Sequence, residues 1–293
     1  MTVPEIVFII PYRNRPQEKK SLDEYFTRLK NDRKWSDDQV KFLYVHQVDK
    51  KLFNRGAMKN IGFIYVKKAY PKDYRNITFV FHDVDFYPDS TNLLPYKAKK
   101  GEVQHYYGFI QVLGGIFTIK GFDFENVGGF PNYWGWGFED NKIYERCINN
   151  NITINRNIFY EINDKHFIYH NKGDQNNFLK NISDVEINLY LSNKYGETFN
   201  DIKNLELKVE ENIINVITFE TGRQYFRSEF SIRDLKKNGP FVKTRKGWFR
   251  KNWNMNQISN NSTRNNLTKI ALALKPIKQT VQESTTKRNW KLF

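Results

Sequence analysis

The sequence predicts an α/β fold with a mostly parallel sheet, followed by a small basic C-terminal extension. Short apolar runs that suit buried strands alternate with amphipathic helical stripes through residues 1–222, and this alternation is typical of α/β proteins. Charge is distributed unevenly. Of the 47 Lys+Arg residues in the chain, 17 lie in residues 223–293, which contain only three acidic residues. We therefore predict a nearly neutral domain at 1–222 and a separate extension at 223–293.

Composition limits the classes of protein to which the chain can belong. Its 293 residues are 39% hydrophobic and 16% aromatic, enough to build a core and to exclude wholesale disorder. The single cysteine, Cys147, excludes an internal disulfide framework and a multi-cysteine zinc site. No apolar run approaches the roughly 20 residues that span a bilayer, and the start lacks the basic region of a signal peptide. We expect a cytoplasmic protein without a membrane anchor.

The domain contains predicted strands and helices in alternation. The strands are apolar or alternating runs, the first closed by Pro11: Ile6–Ile10, Lys41–Val48 and Ile77–Phe81. The helices have apolar residues at helical spacing: Leu22, Tyr25, Phe26 and Leu29 after an opening Pro16, then Met58, Ile61, Gly62 and Tyr65. Beyond them the patterns predict a β-rich stretch, a Gly/Trp-rich loop, a helix and a strand edge: Phe109–Ile119, Gly128–Gly137, Asp140–Asn149 and His166–His170.

Two aspartates follow the third strand, at the edge where α/β sheets bind ligands. Asp83 and Asp85 are two residues apart, and two carboxylates this close repel unless a cation lies between them. Mg²⁺ or Mn²⁺ bridging a diphosphate is the common solution, because these ions prefer oxygen ligands. His170 could be a further ligand beside such a cation, whereas without one it also fits a structural role. A loop capped by solvated acidic residues is the alternative that the aspartates alone leave open.

Basic side chains follow the first two strands. Arg13 and Arg15 flank Asn14 after the first strand, and guanidinium groups bind phosphate in a bidentate manner. Phe53 and Arg55 follow the second strand, where a ring and a guanidinium group could hold a nucleobase. Each segment taken alone also fits an ordinary basic loop.

The segment from Gly128 to Asp140 combines four glycines with two tryptophans, Trp134 and Trp136. Aromatic rings pack on the C–H faces of sugars, so the segment predicts a carbohydrate site. Core tryptophans beside a helix cap are the alternative. Glu139 and Asp140 stand at the predicted helix start, where the helix dipole favours negative charge and a carboxylate can accept a proton from a substrate hydroxyl.

Six segments, in this order, resemble the successive motifs of the β-1,4-galactosyltransferase family. They are IIPYRNR (9–15), FNRGAMKNIGF (53–63), FVFHDVDFYP (79–88), FIQVLGGIFTI (109–119), GGFPNYWGWGFEDNKIYERC (128–147) and FIYHNKGD (167–174). The resemblance covers about residues 5–222. The HDVD form also resembles the branch of the family that adds galactose to xylose.

The resemblance implies a GT-A, Rossmann-like fold with a mixed central sheet. It also implies an inverting, metal-dependent transfer from a UDP-sugar to a glycan acceptor, with Mn²⁺ as the cofactor and Mg²⁺ as the alternative. By motif position, the implied donor contacts are Pro11, Arg13, Arg15 and Asp83 at the nucleotide, Phe53 and Arg55 around the uracil, and Glu139 and Trp136 at the sugar. Asp85 and His170 would bind the metal, and Asp140 would be the general base. Residues from Asn171 to about Asn181 would form a closing lid.

The sequence departs from the family pattern at the metal and acceptor positions. Phe167 and Ile168 stand where relatives supply a metal ligand, and His166 could compensate. Asn141 replaces a third acidic residue that contacts the acceptor. These departures keep open a sugar-nucleotide-binding protein with the same fold and no turnover. Animal members also carry an anchor and disulfides, so the sequence suggests a microbial or viral type of enzyme.

Donor identity is left open at one position. Val112 precedes Gly114 and Gly115, which the resemblance places at the donor, and a small residue there leaves room for an N-acetyl group. Both UDP-galactose and UDP-N-acetylgalactosamine therefore remain candidate donors.

The extension lies outside the resemblance. Phe241–Trp253 interleaves tryptophan and phenylalanine with lysine and arginine. This pattern suits an anionic membrane surface and also a nucleic-acid groove. A small basic subdomain that packs on the catalytic domain is the third option. We rank packing first, peripheral membrane contact second and nucleic acid last.

Overall fold

The computed structural model describes residues 2–135, 137–170 and 197–222, together with the backbone of 241–244 and 247–250. Its strands are β1 (Ile6–Tyr12), β2 (Val40–Gln47), β3 (Thr78–His82), β4 (Phe86–Pro88), β5 (Glu102–Gly108), β6 (Ile116–Lys120), β7 (Thr153–Asn155), β8 (Tyr160–Glu161), β9 (Phe167–Tyr169), β10 (Lys203–Glu210), β11 (Ile213–Glu220), β12 (Phe241–Thr244) and β13 (Gly247–Arg250). Its helices are α1 (Pro16–Arg33), α2 (Arg55–Ala69), α3 (Gly121–Asn126) and α4 (Glu139–Asn149), with a 3₁₀ turn at Phe199–Asp201.

Nine of the described strands form one large mixed sheet, and the pairs β4–β9 and β12–β13 form two separate two-stranded sheets. The order of the large sheet is β10-β11-β2-β1-β3-β6-β5-β7, with β8 also paired to β5. Strands β11, β2, β1 and β3 run parallel, whereas β6 is antiparallel to both β3 and β5. This arrangement confirms the α/β class, with a mixed rather than a mostly parallel sheet. Because β1 and β3 run parallel, the segments that follow them leave the sheet at the same edge.

Strand β1 shows how the sequence builds both layers of the core. Val7 and Ile9 pack on the side of α2, whereas Phe8 and Ile10 pack on the side of α1. All four side chains are fully buried, as alternation along a strand covered on both faces requires. The predicted stripe of α1, from Leu22 to Leu29, is buried as expected.

Helix α2 is buried on more than one side. A Cβ on Gly62 would lie 2.7 Å from Ile9 of the sheet, and a Cβ on Gly56 would lie 2.0 Å from the carbonyl oxygen of Pro131. Every residue from Gly56 to Phe63 is buried. The helix is therefore enclosed between the sheet and the Gly/Trp-rich loop.

One predicted strand is displaced in the structure. The β-rich stretch expected at Phe109–Ile119 is a turn followed by β6, and the preceding strand β5 was not predicted. Gly115 has a φ of +72°, and a Cβ there would lie 2.2 Å from the carbonyl oxygen of Tyr107. The turn at Gly114 and Gly115, called the glycine turn below, therefore folds back on β5, which a continuous strand could not do.

The boundary at residue 222 stays a prediction, since most of 223–293 lies outside the described residues. Strands β12 and β13 pair in antiparallel register, with Phe241 opposite Arg250. In the part of the chain that is described, no helix combines the length and the apolar character needed to cross a membrane.

Candidate active site

The DVD segment leaves the sheet at the end of β3. His82 is fully buried, and its Nδ1 lies 2.6 Å from the carbonyl oxygen of Asp83. Burial lowers the pKa of His82 to about 4, so the ring is neutral and Nδ1–H donates to that carbonyl. This hydrogen bond fixes the turn that places Asp83 and Asp85 at the edge of the sheet.

Arg55 joins three carboxylates at this edge. It is the first residue of α2, and its Nη2 lies 2.9 Å from both carboxylate oxygens of Asp83. Its Nη1 lies 3.0 Å from Oε1 of Glu139, and its Nη2 lies 3.5 Å from Oδ2 of Asp140. Despite burial, these carboxylates raise the pKa of Arg55 above its ordinary value. Arg55 therefore lies within an acidic cluster formed by Asp83, Glu139 and Asp140. Its proposed contact with a uracil stays a prediction.

A second cation, Lys59, enters the same cluster from one turn further along α2. Its side chain is only 1% exposed, and its Nζ lies 3.2 Å from Oδ1 of Asp140 and 3.7 Å from Oδ1 of Asp83. Burial opposes ionisation of Asp83, but the charges of Arg55 and Lys59 hold the pKa of Asp83 below its ordinary value. The sequence analysis did not identify Lys59.

Asp140 lies in the first turn of α4 and contacts the glycine turn. A Cβ on Gly114 would lie 2.5 Å from Oδ2 of Asp140, so only glycine leaves room for this carboxylate. The backbone N–H of Leu113 also donates to the carbonyl oxygen of Asp140, at 3.0 Å. The structure thus brings Gly114 and Asp140 together, 26 positions apart in the chain.

Glu139 is the more deeply buried carboxylate of α4. Its side chain is 4% exposed, forms an ion pair with Nη1 of Arg55 at 3.0 Å and accepts a hydrogen bond from the backbone N–H of Gly137 at 3.1 Å. Burial raises the pKa of Glu139, although Arg55 opposes the shift. Asp140, at 18% exposure, is the carboxylate of this pair that a substrate could reach more easily.

Buried asparagines fix the loop that carries these carboxylates. The side chain of Asn60 donates to the carbonyl oxygen of Phe130 and to Oδ1 of Asn132, at 2.8 and 2.9 Å. Asn54 caps α2 and donates to the carbonyl oxygen of Asn132, at 3.0 Å. Sequence analysis missed these residues, although an asparagine shortly before a helical stripe, as Asn54 is, is a recognisable N-cap signal.

The two proposed metal ligands are neighbours. The backbone N–H of His170 donates to the carbonyl oxygen of Asp85 at 3.2 Å, because β4 and β9 pair with Phe86 opposite Tyr169. Among the described residues Asp85 makes no ion pair. Burial and the charge of Asp83 raise its pKa to about 6.

These features fit a divalent cation. An aspartate oxygen and a histidine nitrogen are both donors that Mn²⁺ accepts. The lack of an ion pair to Asp85 among the described residues also favours a bound cation. No group of three His, Cys, Asp or Glu residues in the described ranges is arranged to hold a metal. His166, the candidate compensating ligand, instead pairs through Nδ1 with Asp164 at 2.8 Å.

The predicted phosphate-binding arginines have protein partners. Arg13 donates to the carbonyl oxygens of Lys51 and Asp49, at 2.5 and 2.8 Å. Arg15 pairs with Glu18 at 3.0 Å. Arg13 thereby links the end of β1 to the segment that follows β2. The donor-binding roles of Arg13, Arg15, Pro11 and Phe53 stay predictions.

Of the two tryptophans in the Gly/Trp-rich loop, the structure describes Trp134 but not Trp136. Trp134 is 5% exposed and stacks on Phe219, with ring centroids 5.1 Å apart. It is therefore a core residue, and its assignment to an aromatic sugar-binding wall was wrong. Trp136 and the predicted lid at 171–181 lie outside the described residues.

Two family models match most of the domain. One, described as the N-terminal region of glycosyl transferase group 7, matches residues 2–98. The other, described as the N-terminal domain of galactosyltransferase, matches residues 97–171. Together they cover more than half of the chain.

Curated relatives agree with the family models. The chain is 32% identical over 161 residues to β-1,4-galactosyltransferase 1 of Mus musculus, a match that covers 52% of this chain and 39% of that protein. It is 28% identical over 234 residues to β-1,4-galactosyltransferase 7 of Drosophila melanogaster, covering 74% and 67%. The chain thus spans about two fifths of the length of the mouse relative.

A solved structure agrees with the fold. A mutant of Drosophila β-1,4-galactosyltransferase 7, in complex with manganese, UDP-Gal and xylobiose, superposes with a TM-score of 0.58 at 19% identity. The match covers 73% of this chain and 94% of that one. This similarity confirms the predicted GT-A fold.

Proposed function

The chain belongs to the β-1,4-galactosyltransferase family, and from this premise we propose that it transfers galactose from UDP-galactose to a hydroxyl group of a glycan acceptor. The observation that carries the proposal is the position of Asp140. Its carboxylate is partly exposed at the start of α4, between the glycine turn and the acidic edge of the sheet.

Asp140 is the general base of the proposed reaction. It takes the proton of the acceptor hydroxyl while the hydroxyl oxygen attacks the anomeric carbon of galactose. The bond from that carbon to the diphosphate oxygen breaks, and UDP leaves with the electron pair. One displacement inverts the anomeric centre, so one base suffices, whereas a glycosidase needs a second carboxyl group as acid.

Asp85 and His170 would hold a divalent cation, and Mn²⁺ is the ion present with the Drosophila relative. When bound, the cation would offset the negative charge that develops on the departing diphosphate. Arg55 and Lys59 form ion pairs with Asp83, whereas Asp85 forms none among the described residues, which leaves Asp85 as the carboxylate for the cation. Glu139 would contact the donor sugar, and Trp136 would cover it.

The second candidate function is binding of a sugar nucleotide without turnover. It is favoured by the small number of metal ligands in the described residues, Asp85 and His170, and by the engagement of His166 with Asp164. Metal-dependent UDP binding with no sugar transfer to any acceptor would support it.

The test of the proposed function is release of UDP in the presence of Mn²⁺. UDP-galactose and UDP-N-acetylgalactosamine are compared as donors, with an acceptor panel that includes xylobiose, the sugar bound by the Drosophila relative. We expect acceptor-dependent release from UDP-galactose. N-acetylgalactosamine transfer at a similar rate would show that Val112 admits the larger sugar.

Two variants distinguish the loss of the general base from the general effect of removing a negative charge. Asp140→Asn keeps the shape of the side chain but cannot take the proton, so kcat should fall by at least about 100-fold. Asp73→Asn makes the same change at an exposed position outside the site and should leave kcat unchanged. Equal rates for wild type and Asp140→Asn would contradict the assignment.

The role of the extension at 223–293 stays a prediction from its composition. Its basic and aromatic segment supports contact with an anionic membrane, which would bring the enzyme to a membrane surface in the cytoplasm. Co-sedimentation with vesicles of anionic lipid, with neutral vesicles and an oligonucleotide as controls, tests this. Binding that survives deletion of 223–293 would contradict it.

A further inference from the structure

Lys59 is a buried cation inside a helix that otherwise buries apolar and amide groups. Its ammonium group lies 4.6 Å from the centroid of the Phe130 ring, in addition to its contacts with Asp140 and Asp83. Removing an ammonium group from water is costly unless the charge is paired. The position therefore requires the two carboxylates.

The nearer carboxylate belongs to Asp140. Nζ of Lys59 lies 3.2 Å from Oδ1 of Asp140, within hydrogen-bond distance, whereas it lies 3.7 Å from Asp83. The other cation of the cluster, Arg55, directs two short contacts to Asp83 and reaches Asp140 only at 3.5 Å. Lys59 thus provides the shorter of the two charged contacts to Asp140.

The two oxygens of Asp140 have different surroundings. Oδ1 accepts a hydrogen bond from Lys59 at 3.2 Å, whereas Oδ2 lies against Gly114, in the space that a side chain there would take, and has only the longer 3.5 Å contact with Nη2 of Arg55. A carboxylate held at one oxygen cannot rotate freely about its terminal torsion. Oδ2, the less tightly held oxygen, is then kept in one direction, toward Gly114.

We propose that Lys59 is the positioning residue of the general base: its ammonium group fixes Oδ1 of Asp140, so that Oδ2 is presented to the acceptor hydroxyl. This inference rests on the proposed function, because it assigns Lys59 a role in the same transfer. Lys59 acts through Asp140 and does not itself touch the reacting atoms.

The test replaces Lys59 by methionine, which keeps the length of the side chain and removes the charge. We expect kcat to fall by about 10- to 100-fold, the effect of misplacing a catalytic group by up to 1 Å. The KM for UDP-galactose should stay within about twofold, since Asp140 serves the acceptor. Lys68→Met, the same change at an exposed position of α2, should leave both constants unchanged.

A merely structural role would give a different pattern. It would lower the melting temperature and the fraction of active enzyme, and the enzyme that remains folded would keep the wild-type kcat and KM. A folded Lys59→Met variant with the wild-type kcat would overturn the proposal.

Double variants show which carboxylate Lys59 serves. In the Asp140→Asn background, Lys59→Met should change kcat by less than about twofold, because the base that Lys59 positions is already lost. In the Asp83→Asn background it should keep most of its effect. The reverse pattern would overturn the proposal in favour of Asp83.

Failure of the proposed function can be distinguished from failure of this inference. If the wild type transfers no sugar to any acceptor, the proposed function fails. The contact is then tested by urea unfolding of Lys59→Met, Asp140→Asn and the double variant. Non-additive effects on the free energy of unfolding support the contact, and additive effects overturn it.

Discussion

Replacing Gly114 by alanine tests whether the carboxylate of Asp140 must lie where the structure places it. The added Cβ would lie 2.5 Å from Oδ2 and 3.0 Å from Cγ of Asp140. Gly114 has no positive φ, so the backbone itself accepts alanine. The substitution therefore acts mainly through this one contact.

The size of the effect follows from the distance. Real Cβ contacts are essentially never under 3.0 Å, and ordinary contacts begin at 3.4 Å, so Oδ2 at 2.5 Å must retreat by 0.5 to 0.9 Å. A displacement of about 1 Å of a catalytic group costs about 100-fold in rate. We expect kcat to fall by about 30- to 100-fold, which corresponds to about 2 to 2.7 kcal/mol in the activation free energy.

The assay is kcat for galactose transfer at saturating donor and acceptor. Gly222→Ala is the matched control, because its Cβ would meet its nearest neighbour at an ordinary 3.6 Å. Its kcat should equal that of the wild type. A Gly114→Ala variant that keeps kcat within about twofold, while folded, would refute the reasoning.

Three further predictions concern titratable groups. Because burial and Asp83 raise the pKa of Asp85 to about 6, protons compete with Mn²⁺ below that pH. Calorimetry should show the Kd for Mn²⁺ rising about fivefold from pH 6 to pH 5, and a constant Kd would contradict this. Burial and Arg156 lower the pKa of His105 from 6.5 to about 3, so as pH falls the unfolded chain binds a proton first. In urea unfolding, the free energy of unfolding of the wild type should fall by about 2 kcal/mol more than that of His105→Gln between pH 7 and pH 5. Equal losses in the two proteins would refute this prediction. Burial raises the pKa of the Cys147 thiol to about 12, so an aromatic disulfide reagent should label it only in denaturant, and rapid labelling of the native protein would be inconsistent with that burial.

Local patterns predicted the elements that carry the site. The continuous apolar run at Ile6–Ile10 and the stripe from Leu22 to Leu29 correspond to β1 and α1, because a strand buried on both faces is apolar throughout and a helix buried on one face is apolar at helical spacing. The displaced strand at Phe109–Ile119 shows the limit. Its apolar residues suit a strand, but the turn depends on the close approach of Gly115 to Tyr107, which is a tertiary contact.

The composition of the acidic cluster was predicted only in part. Asp83, Asp85, Glu139 and Asp140 follow recognisable strand ends and a helix start, so sequence reasoning found them. Lys59 was missed, because a lysine in an amphipathic pattern is normally expected to face solvent. Its partner Asp140 is 81 positions away, and only the enclosure of α2 by the Gly/Trp-rich loop brings the two together.

The most direct test of the account is the anomeric configuration of the product formed from UDP-galactose. Proton NMR of the purified product identifies the new linkage without assumptions about the site. A single displacement assisted by Asp140 predicts a β-linked galactose from the α-linked donor. An α-linked product would require a second nucleophile and would contradict the account, as would release of free galactose with no transfer product.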